Sequence, residues 1–526
     1  MPGGFLEAFD WHPEPELLGM RDAATSREAL RAAGAATWDA ALDYLYDHAF
    51  VRAMGAPIGY AELRAEYFGN TGGPGGAPVD PTPLASILDE FRERIAPHTV
   101  SAYHPRSFGY FTPPPLVSSV LGEMLAQVTQ QGVDVWHAGP VGAFVEEEVV
   151  RWLCDLVGYG PSSFGLLTSG GVMANFIAMT LARDLHATRV LRLDRPPRGR
   201  ALEGLRVYAS DQAHFSIGRA LDELGFPTET LVIVAADEEF RLRGAGVAAA
   251  VVRDRASGLT PIAIAAVAGT TNTGAVDAIG ELADVAEREE LWLHVDAAYG
   301  GATRLSPRDA GRVPALDRAD SVTVDPHKWF FQAYDIGGLI VRRGGDLEAA
   351  FGGRRPEYYR GGDTPLAATD PHEDHDDDHD HGEPGHLNFW KLGFEGTRRW
   401  RALKLWLSWK HVGTAGFARL VEANLDLAAH LAARIAEDPA FEALPAIPPL
   451  SVVCFRHRPA GVVEGPELDA HQDRLQVALE ASGDGWLTTT RLRGGTWLRA
   501  GIVNTQSTRA DIDRLLDTLR DLATRG

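Results

Sequence analysis

The sequence predicts an α/β protein built on a mainly parallel sheet. Three observations carry that expectation. Between about Ser107 and Arg343, short runs rich in Val, Ile, Leu and Ala alternate with stretches of helical periodicity, the order that lays strands parallel with helices across their faces. Polar residues collect at the carboxyl ends of those runs, where sheets of this kind bind ligands. At 526 residues the chain is too long for one core and should divide into two or three domains.

The elements follow in order. Residues 1–105 read as a helical N-terminal segment, with an amphipathic stretch over 37–54 and a Gly/Pro linker at Gly69-Asn-Thr-Gly-Gly-Pro-Gly-Gly-Ala-Pro. Residues 106–412 read as the large α/β domain. Within it, Leu166-Leu-Thr-Ser-Gly-Gly-Val runs from a strand through glycines into a helix ending near Asp184. Further strands are expected at Arg206-Val-Tyr-Ala, Leu231-Val-Ile-Val, Ile262-Ala-Ile-Ala-Ala-Val, Leu291-Trp-Leu-His-Val, Ser321-Val-Thr-Val and Gly338-Leu-Ile-Val. A helix rich in Arg, Trp and Leu spans 397–412. Residues 413–526 read as a small α+β domain with helices near 417–438 and 467–482, strands near 451–456 and 496–503, and a last helix from Arg509. No internal repeat is present.

Composition narrows the function classes. Hydrophobic residues at 45% and charged residues at 23% are ordinary for a soluble enzyme. A formal charge of −22 argues against nucleic acid or an anionic membrane as partner. The tract 370–386 holds eight of the acids and no Lys or Arg. Its histidines and carboxylates are metal-ligand types, but it has no hydrophobic residues to fix a geometry and reads as a solvated insertion with no metal site. Cys154 and Cys454 both have apolar neighbours and imply no disulfide framework. The start, Met1-Pro-Gly-Gly-Phe-Leu-Glu, lacks a basic region followed by an apolar run, and no stretch of ~18 apolar residues spans a bilayer. A cytoplasmic protein is expected.

The chemistry begins at Lys328, in Ser321-Val-Thr-Val-Asp-Pro-His-Lys-Trp-Phe, 32 positions after Asp296 in Leu291-Trp-Leu-His-Val-Asp-Ala-Ala-Tyr-Gly. A lysine and an acid delivered by neighbouring strand ends suit pyridoxal 5'-phosphate. The amine links to the cofactor aldehyde, and the carboxylate keeps the pyridine nitrogen protonated so that the ring accepts electrons. Gly170 and Gly171, before a helix, let backbone N–H groups approach the cofactor phosphate; alone, such a pair is a common turn. His214, in Asp211-Gln-Ala-His-Phe-Ser, is either a helix-capping residue or an imidazole stacked on the pyridine ring and able to move protons. Ala298 is small enough to pass beneath a flat ring. His327 is structural or touches phosphate or substrate, and Thr270 ends another strand within reach of the cofactor or Asp296.

Thr168-Ser-Gly-Gly, Asp211-Gln-Ala-His, His294-Val-Asp-Ala-Ala-Tyr-Gly-Gly and Asp325-Pro-His-Lys-Trp, in that order, resemble the group II pyridoxal-phosphate-dependent amino-acid decarboxylases, among them the aromatic L-amino-acid, histidine and glutamate enzymes. His104-Pro-Arg-Ser-Phe-Gly-Tyr-Phe, residues 140–156, Arg398-Arg-Trp-Arg-Ala-Leu-Lys-Leu-Trp and Leu498-Arg-Ala-Gly-Ile-Val-Asn-Thr extend the resemblance over roughly 90–515. It implies a fold type I homodimer with active sites at the subunit interface. By position, Lys328 is the Schiff-base lysine, Asp296 the pyridinium partner and His214 the stacking residue, with Gly170, Gly171 and His327 around the phosphate.

Two departures stand out. The aromatic enzymes carry a tyrosine, upstream of the Arg-Arg-Phe-Arg-type helix, that is associated with protonating the product carbanion. Phe389 falls there in this chain, and a phenyl ring has no proton to give. In plant relatives such a change characterises aromatic aldehyde synthases, which yield aldehyde, ammonia and peroxide instead of amine. Alternatively Tyr358, Tyr359 or water supplies the proton, or the alignment slips near the insertion. The second departure is Val172, where a phosphate-holding serine is usual. Tyr110, Phe111, Trp136 and Tyr334 are candidate walls of an aromatic substrate pocket, with core packing as the alternative for each. Asp134 could favour a polar or basic substrate, and Arg499 either meets a substrate carboxylate or braces the C-terminal domain. The expected reaction is decarboxylation of an aromatic L-amino acid to the amine. Intact Lys328, Asp296 and His214 speak against a non-catalytic paralogue, and the Asp211-Gln-Ala-His and Arg398-Arg-Trp-Arg segments disfavour a lyase acting on phosphorylated sphingoid bases.

Overall fold

The apolar runs of the chain's middle pair into one seven-stranded sheet. A computed structural model describes residues 12–19, 24–55, 58–69, 76–353 and 387–525. The tract 370–386, Tyr358 and Tyr359 lie outside the described residues. The strands are β1 (Phe164–Thr168), β2 (Leu205–Ser210), β3 (Leu231–Val234), β4 (Thr260–Val267), β5 (Trp292–Asp296), β6 (Ser321–Val324) and β7 (Gly337–Val341). Their order is β1-β7-β6-β5-β4-β2-β3. The β2/β3, β2/β4, β4/β5 and β5/β6 pairs are parallel. β7 runs antiparallel to both β1 and β6, so the sheet is mixed and mostly parallel. The reversal has a local cause. A parallel return usually needs a helical crossover, and residues 325–336, between β6 and β7, form turns and loop instead.

Both faces of the sheet are covered, which is why its strands read as apolar runs without alternation. Every residue of β5, β6 and β7 is buried. Helices Gly171–Leu181, Ser216–Glu223, Gly244–Ala256 and Ile279–Glu289 connect the strands. Burying each Val, Leu or Ile side chain of such a core contributes about 1.5–3 kcal/mol. An ion pair sealed from water sets the height of β1. Glu146, on helix Pro140–Val157, accepts the Leu167 N–H at 3.0 Å and pairs with Arg398 at 2.5 Å. Arg398 also donates to the Leu167 carbonyl at 2.7 Å. The strand therefore ends where the Ser169-Gly170-Gly171 turn begins.

The described chain forms two compact units: Phe111–Phe455 with Arg499–Thr505, and Met1–Tyr110 with Arg456–Leu498 and Gln506–Gly526. The amphipathic stretch predicted over 37–54 forms the end of helix Thr25–Asp43 and a π-helical segment, Tyr44–Ala49. The two helices predicted over 397–412 and 417–438 run on as Ala402–Glu437, interrupted at Gly413 by non-helical torsions (φ 71°, ψ 161°). Near the C terminus, β8 (Phe441–Ala443), β9 (Val452–His457), β10 (Thr488–Leu492) and β11 (Gly495–Gly501) make a second sheet of order β10-β11-β9-β8. β9 and β11 are the strands expected from sequence; β8 and β10 are additional. Helices Pro466–Ser482 and Arg509–Arg525 lie where they were expected. Among the described residues no helix is long and apolar enough to cross a membrane, and Cys154 and Cys454 are buried free thiols.

Candidate active site

Five strand ends deliver the polar residues to one cavity of about 370 Å³. β5 ends on Asp296, β6 runs into the turn carrying Asp325, His327 and Lys328, and β1 runs into Gly170 and Gly171. β4 leads to Gly269 and Thr271, and the loop after β2 brings His214. All of these residues line the cavity, as do Ala298 and Phe111. Separations of a hundred residues and more collapse here because the sheet places those strands side by side with their carboxyl ends together.

Lys328 is held by one acid and feels the charge of a second. Its Nζ lies 3.1 Å from Asp325 Oδ2, and the same oxygen accepts the Gly171 N–H at 3.0 Å. Burial disfavours the ammonium, but Asp325 and Asp296 outweigh it and raise the Lys328 pKa above the ordinary lysine value. His327 Nδ1 accepts the Ile336 N–H at 3.2 Å, so its proton sits on Nε2, 3.6 Å from Asp325 Oδ2. Burial lowers the His327 pKa.

Asp296 is oriented from behind. Its Oδ1 accepts the Ala298 N–H at 3.1 Å and its Oδ2 accepts Asn175 Nδ2 at 2.7 Å. Asn175, one turn into helix Gly171–Leu181, also donates to Ser216 Oγ at 2.8 Å. Its Oδ1 accepts Thr323 Oγ1 at 2.7 Å and His294 Nε2 at 2.9 Å. Since an amide oxygen only accepts, His294 carries its proton on Nε2. Its Nδ1 accepts Ser321 Oγ at 2.9 Å, and Ser321 in turn accepts Trp292 Nε1 at 3.1 Å. Burial pushes the His294 pKa down to about 4, so the ring is neutral near pH 7. The same logic reaches His214. Its Nδ1 accepts the Ser216 N–H at 3.3 Å and lies 2.8 Å from Ser216 Oγ. The His214 proton is therefore on Nε2, and burial lowers its pKa.

Other predicted residues are placed differently. Thr270 is buried against Thr273 at 3.0 Å and accepts the Ala275 N–H, shaping the turn rather than lining the cavity. Phe111 stacks on Tyr299 at 4.0 Å, and Tyr299 on Trp329 at 4.9 Å. Arg499 covers the far face of Phe111 at 4.6 Å and donates to the Thr271 carbonyl at 2.8 Å. Tyr334 is exposed, packs on His327 at 4.9 Å and meets Thr112 through its hydroxyl. Trp136 packs on Phe144, and its N–H donates to Asn388. Tyr110 belongs to the other compact unit, where it packs on Trp486.

Phe389 is fully buried, 6.1 Å from Phe164 and beneath the Arg398 guanidinium at 4.7 Å. The structure puts it in the hydrophobic core and does not bring it to the cavity. Asp325, Asn175 and Ser216 are the site residues that sequence reasoning did not single out. Asp325 had a signal, three positions before Lys328 in Asp325-Pro-His-Lys-Trp; Asn175 and Ser216 had none without the fold.

The lining fits a phosphorylated pyridine aldehyde. The opening turn of helix Gly171–Leu181, with Val172 and Met173, faces the cavity, and first-turn N–H groups lack intrahelical acceptors. A Cβ on Gly171 would stand 2.9 Å from Asp325 Oδ2 and 3.4 Å from the Ala298 Cβ, so the turn is closed to side chains. The Gly170 N–H is already given to Thr168 Oγ1 at 3.2 Å and the Gly171 N–H to Asp325. The helix start therefore has to supply the anion donors expected from those two glycines. Among the described residues no group of three or more His, Cys, Asp or Glu side chains is placed to hold a metal ion.

Residues 71–458 match the family described as the pyridoxal-dependent decarboxylase conserved domain. The chain is 32% identical over 421 residues to an aromatic-L-amino-acid decarboxylase of Bacillus atrophaeus, covering 80% of this chain and 81% of the relative. It is 31% identical over 451 residues to an L-2,4-diaminobutyrate decarboxylase of Rhizobium meliloti (strain 1021), covering 85% and 84%. A solved glutamate decarboxylase domain of a diaminobutyrate-pyruvate transaminase and L-2,4-diaminobutyrate decarboxylase from Vibrio parahaemolyticus superposes with a TM-score of 0.78 at 26% identity, covering 97% of each chain.

Proposed function

The chain belongs to the pyridoxal-dependent decarboxylase family, and we propose an aromatic L-amino acid as its substrate and the amine as its product. It is a carboxy-lyase of fold type I that uses pyridoxal 5'-phosphate. The observation that carries the reading is the meeting of Lys328, Asp296 and His214 at one cavity beyond the strand ends. When bound, the cofactor supplies an electron sink for the pair left as the substrate carboxylate departs as carbon dioxide.

The residues divide the remaining work. Lys328 is the amine that links the cofactor. Asp296, pinned by Asn175 and Ala298, would hold a proton at the pyridine nitrogen. His214 would pack against the ring, with Nε2–H as its remaining donor once Ser216 has fixed Nδ1. The Phe111–Tyr299–Trp329 stack, braced by Arg499, stiffens one wall. Substrate class follows from the rest of the lining. Phe111, Phe215, Val172 and Met173 give apolar surface, and the carboxylates among the described lining residues are Asp296 and Asp325 alone. Both are engaged with site residues. Among the described lining residues a side-chain ammonium such as that of 2,4-diaminobutyrate would meet no further acid, whereas a flat aromatic side chain meets ring and thioether surface.

The oxidative branch to an aldehyde rested on Phe389, which is sealed in the core and supplies no argument for it. Incubating the cofactor-loaded enzyme with each aromatic L-amino acid and with L-2,4-diaminobutyrate, while assaying carbon dioxide, amine, aldehyde and peroxide together, tests the proposal. Amine equal to carbon dioxide from an aromatic substrate supports it. Release from diaminobutyrate alone, or peroxide in place of amine, overturns it.

A homodimer acting in the cytoplasm completes the proposal. Val117, Leu121, Met124, Leu125 and Val128 are exposed at helical spacing along one face of Val117–Thr129. Val141 and Phe144 add to the exposed apolar surface. A stripe of this kind suits a second copy of the chain.

A further inference from the structure

We propose that Asp325 sets the charge of Lys328 in the cofactor-free chain, leaving Asp296 to serve the pyridine ring, so that two carboxylates in one cavity hold separate tasks. The inference rests on Lys328 being the cofactor lysine and adds a residue to that reading.

Asp325 is 1% exposed, and a buried carboxylate needs compensation. Its Oδ2 has two hydrogen-bonding partners, the Gly171 N–H at 3.0 Å and the Lys328 ammonium at 3.1 Å, with His327 Nε2 further off at 3.6 Å. Its Oδ1 is buried with no hydrogen-bond partner. The space around it is tight, since a Cβ on Gly337 would stand 2.6 Å from Oδ1 and 2.4 Å from the Gly170 Cα. The carboxylate cannot swing away, and the Lys328 N–H bound to the Asp325 carbonyl at 2.9 Å fixes the turn that aims the lysine at it. Asp296 is spoken for by Asn175 and Ala298.

The groups acting on Lys328 from every side are Asp325, Asp296, Tyr334, His214 and His327. Burial opposes a charge on the amine, whereas His214 and His327, whose own pKa values Lys328 helps to lower, are neutral where the lysine titrates. Asp325 and then Asp296 favour the charge and prevail. The consequence is chemical. An ammonium has no lone pair, so it must first give a proton to solvent. The neutral amine then attacks the aldehyde carbon, a carbon–nitrogen double bond forms, and the carbonyl oxygen leaves as one water. Asp325 therefore keeps the lysine correctly aimed but protonated, and makes cofactor capture depend on pH.

The test is competitive acetylation. The full-length chain, freed of cofactor, is treated with acetic anhydride across a pH series beside N-acetyl-lysine amide as internal standard. The Lys328 peptide is quantified by mass spectrometry. The midpoint of the profile reports charge and is independent of how easily reagent enters. In the wild type the midpoint should lie above that of the standard. Asp325→Asn should lower it, and a midpoint lower by about one on the pH scale gives about tenfold faster labelling at a fixed lower pH. Asp325→Glu, which keeps the charge, should stay near the wild type. An Asn midpoint equal to or above the wild-type value overturns the proposal. If the Asn variant does not fold, a wild-type midpoint below the standard overturns it alone. Failure here leaves a trapped cofactor adduct on Lys328 untouched, so the two readings fail separately.

Discussion

Asn175 spends all its hydrogen-bonding capacity in a space closed to water, and Asp296 depends on it. Two donors go to Asp296 and Ser216, and its oxygen takes Thr323 and His294. Asn175→Ala leaves each of those groups short of a partner, and every buried polar group so stranded costs about 1–3 kcal/mol. The variant should unfold at clearly lower urea concentration and hold pyridoxal phosphate more weakly; an unchanged midpoint and affinity would remove Asn175 from the account. This residue shows where sequence reading stops. Lys328, Asp296 and His214 were legible because each follows a recognisable strand closely. Asn175 meets Asp296 across 121 positions, and Gly171 meets Asp325 across 154, and only the sheet order relates them. Phe389 shows the reverse error. Position beside a motif suggested a catalytic site, while its fully buried ring belongs to the core.

The strands were the legible elements, because a sheet buried on both faces writes itself as continuous apolar runs. Direction was less legible. Nothing in Gly338-Leu-Ile-Val says that β7 runs backwards; the turn-forming link over 325–336 decides it. β8 and β10 were too short or too half-exposed to signal, and the long helix hid its continuity behind Gly413. The element that matters most for the site is β1, whose end is held by the buried Glu146–Arg398 pair. Glu146→Ala leaves the Arg398 guanidinium buried without its main counter-charge, which costs about 3–5 kcal/mol. Thermal unfolding should register that loss, and the glycine turn after β1 should bind cofactor more poorly. A thermally neutral Glu146→Ala would mean that the pair does not hold the strand.

For the molecule as a whole, acid should be the weak side. His104 and His294 have pKa values pushed down to about 4, chiefly by burial, and burial also lowers those of His186, His214 and His327. Well above pH 6.5 neither folded nor unfolded chain protonates them appreciably. Between 6.5 and the lowered values the unfolded chain takes up protons that the folded one refuses, so stability falls as pH falls. For His294 the loss reaches about 3 kcal/mol near pH 4. Urea midpoints measured down a pH series should drop across that window, and a flat profile would contradict the buried neutral histidines. The apolar stripe on Val117–Thr129 gives a second whole-molecule expectation. Met124→Glu should shift sedimentation from dimer toward monomer, and an unaffected dimer would place the interface elsewhere. One lysine carries the cofactor, and borohydride reduction of the protein incubated with pyridoxal phosphate, followed by peptide mapping, checks this at the covalent bond itself. A single pyridoxyl adduct on Lys328 is expected, lost in Lys328→Ala together with at least ~10²-fold of the decarboxylation rate. An adduct on another lysine, or none, would contradict it.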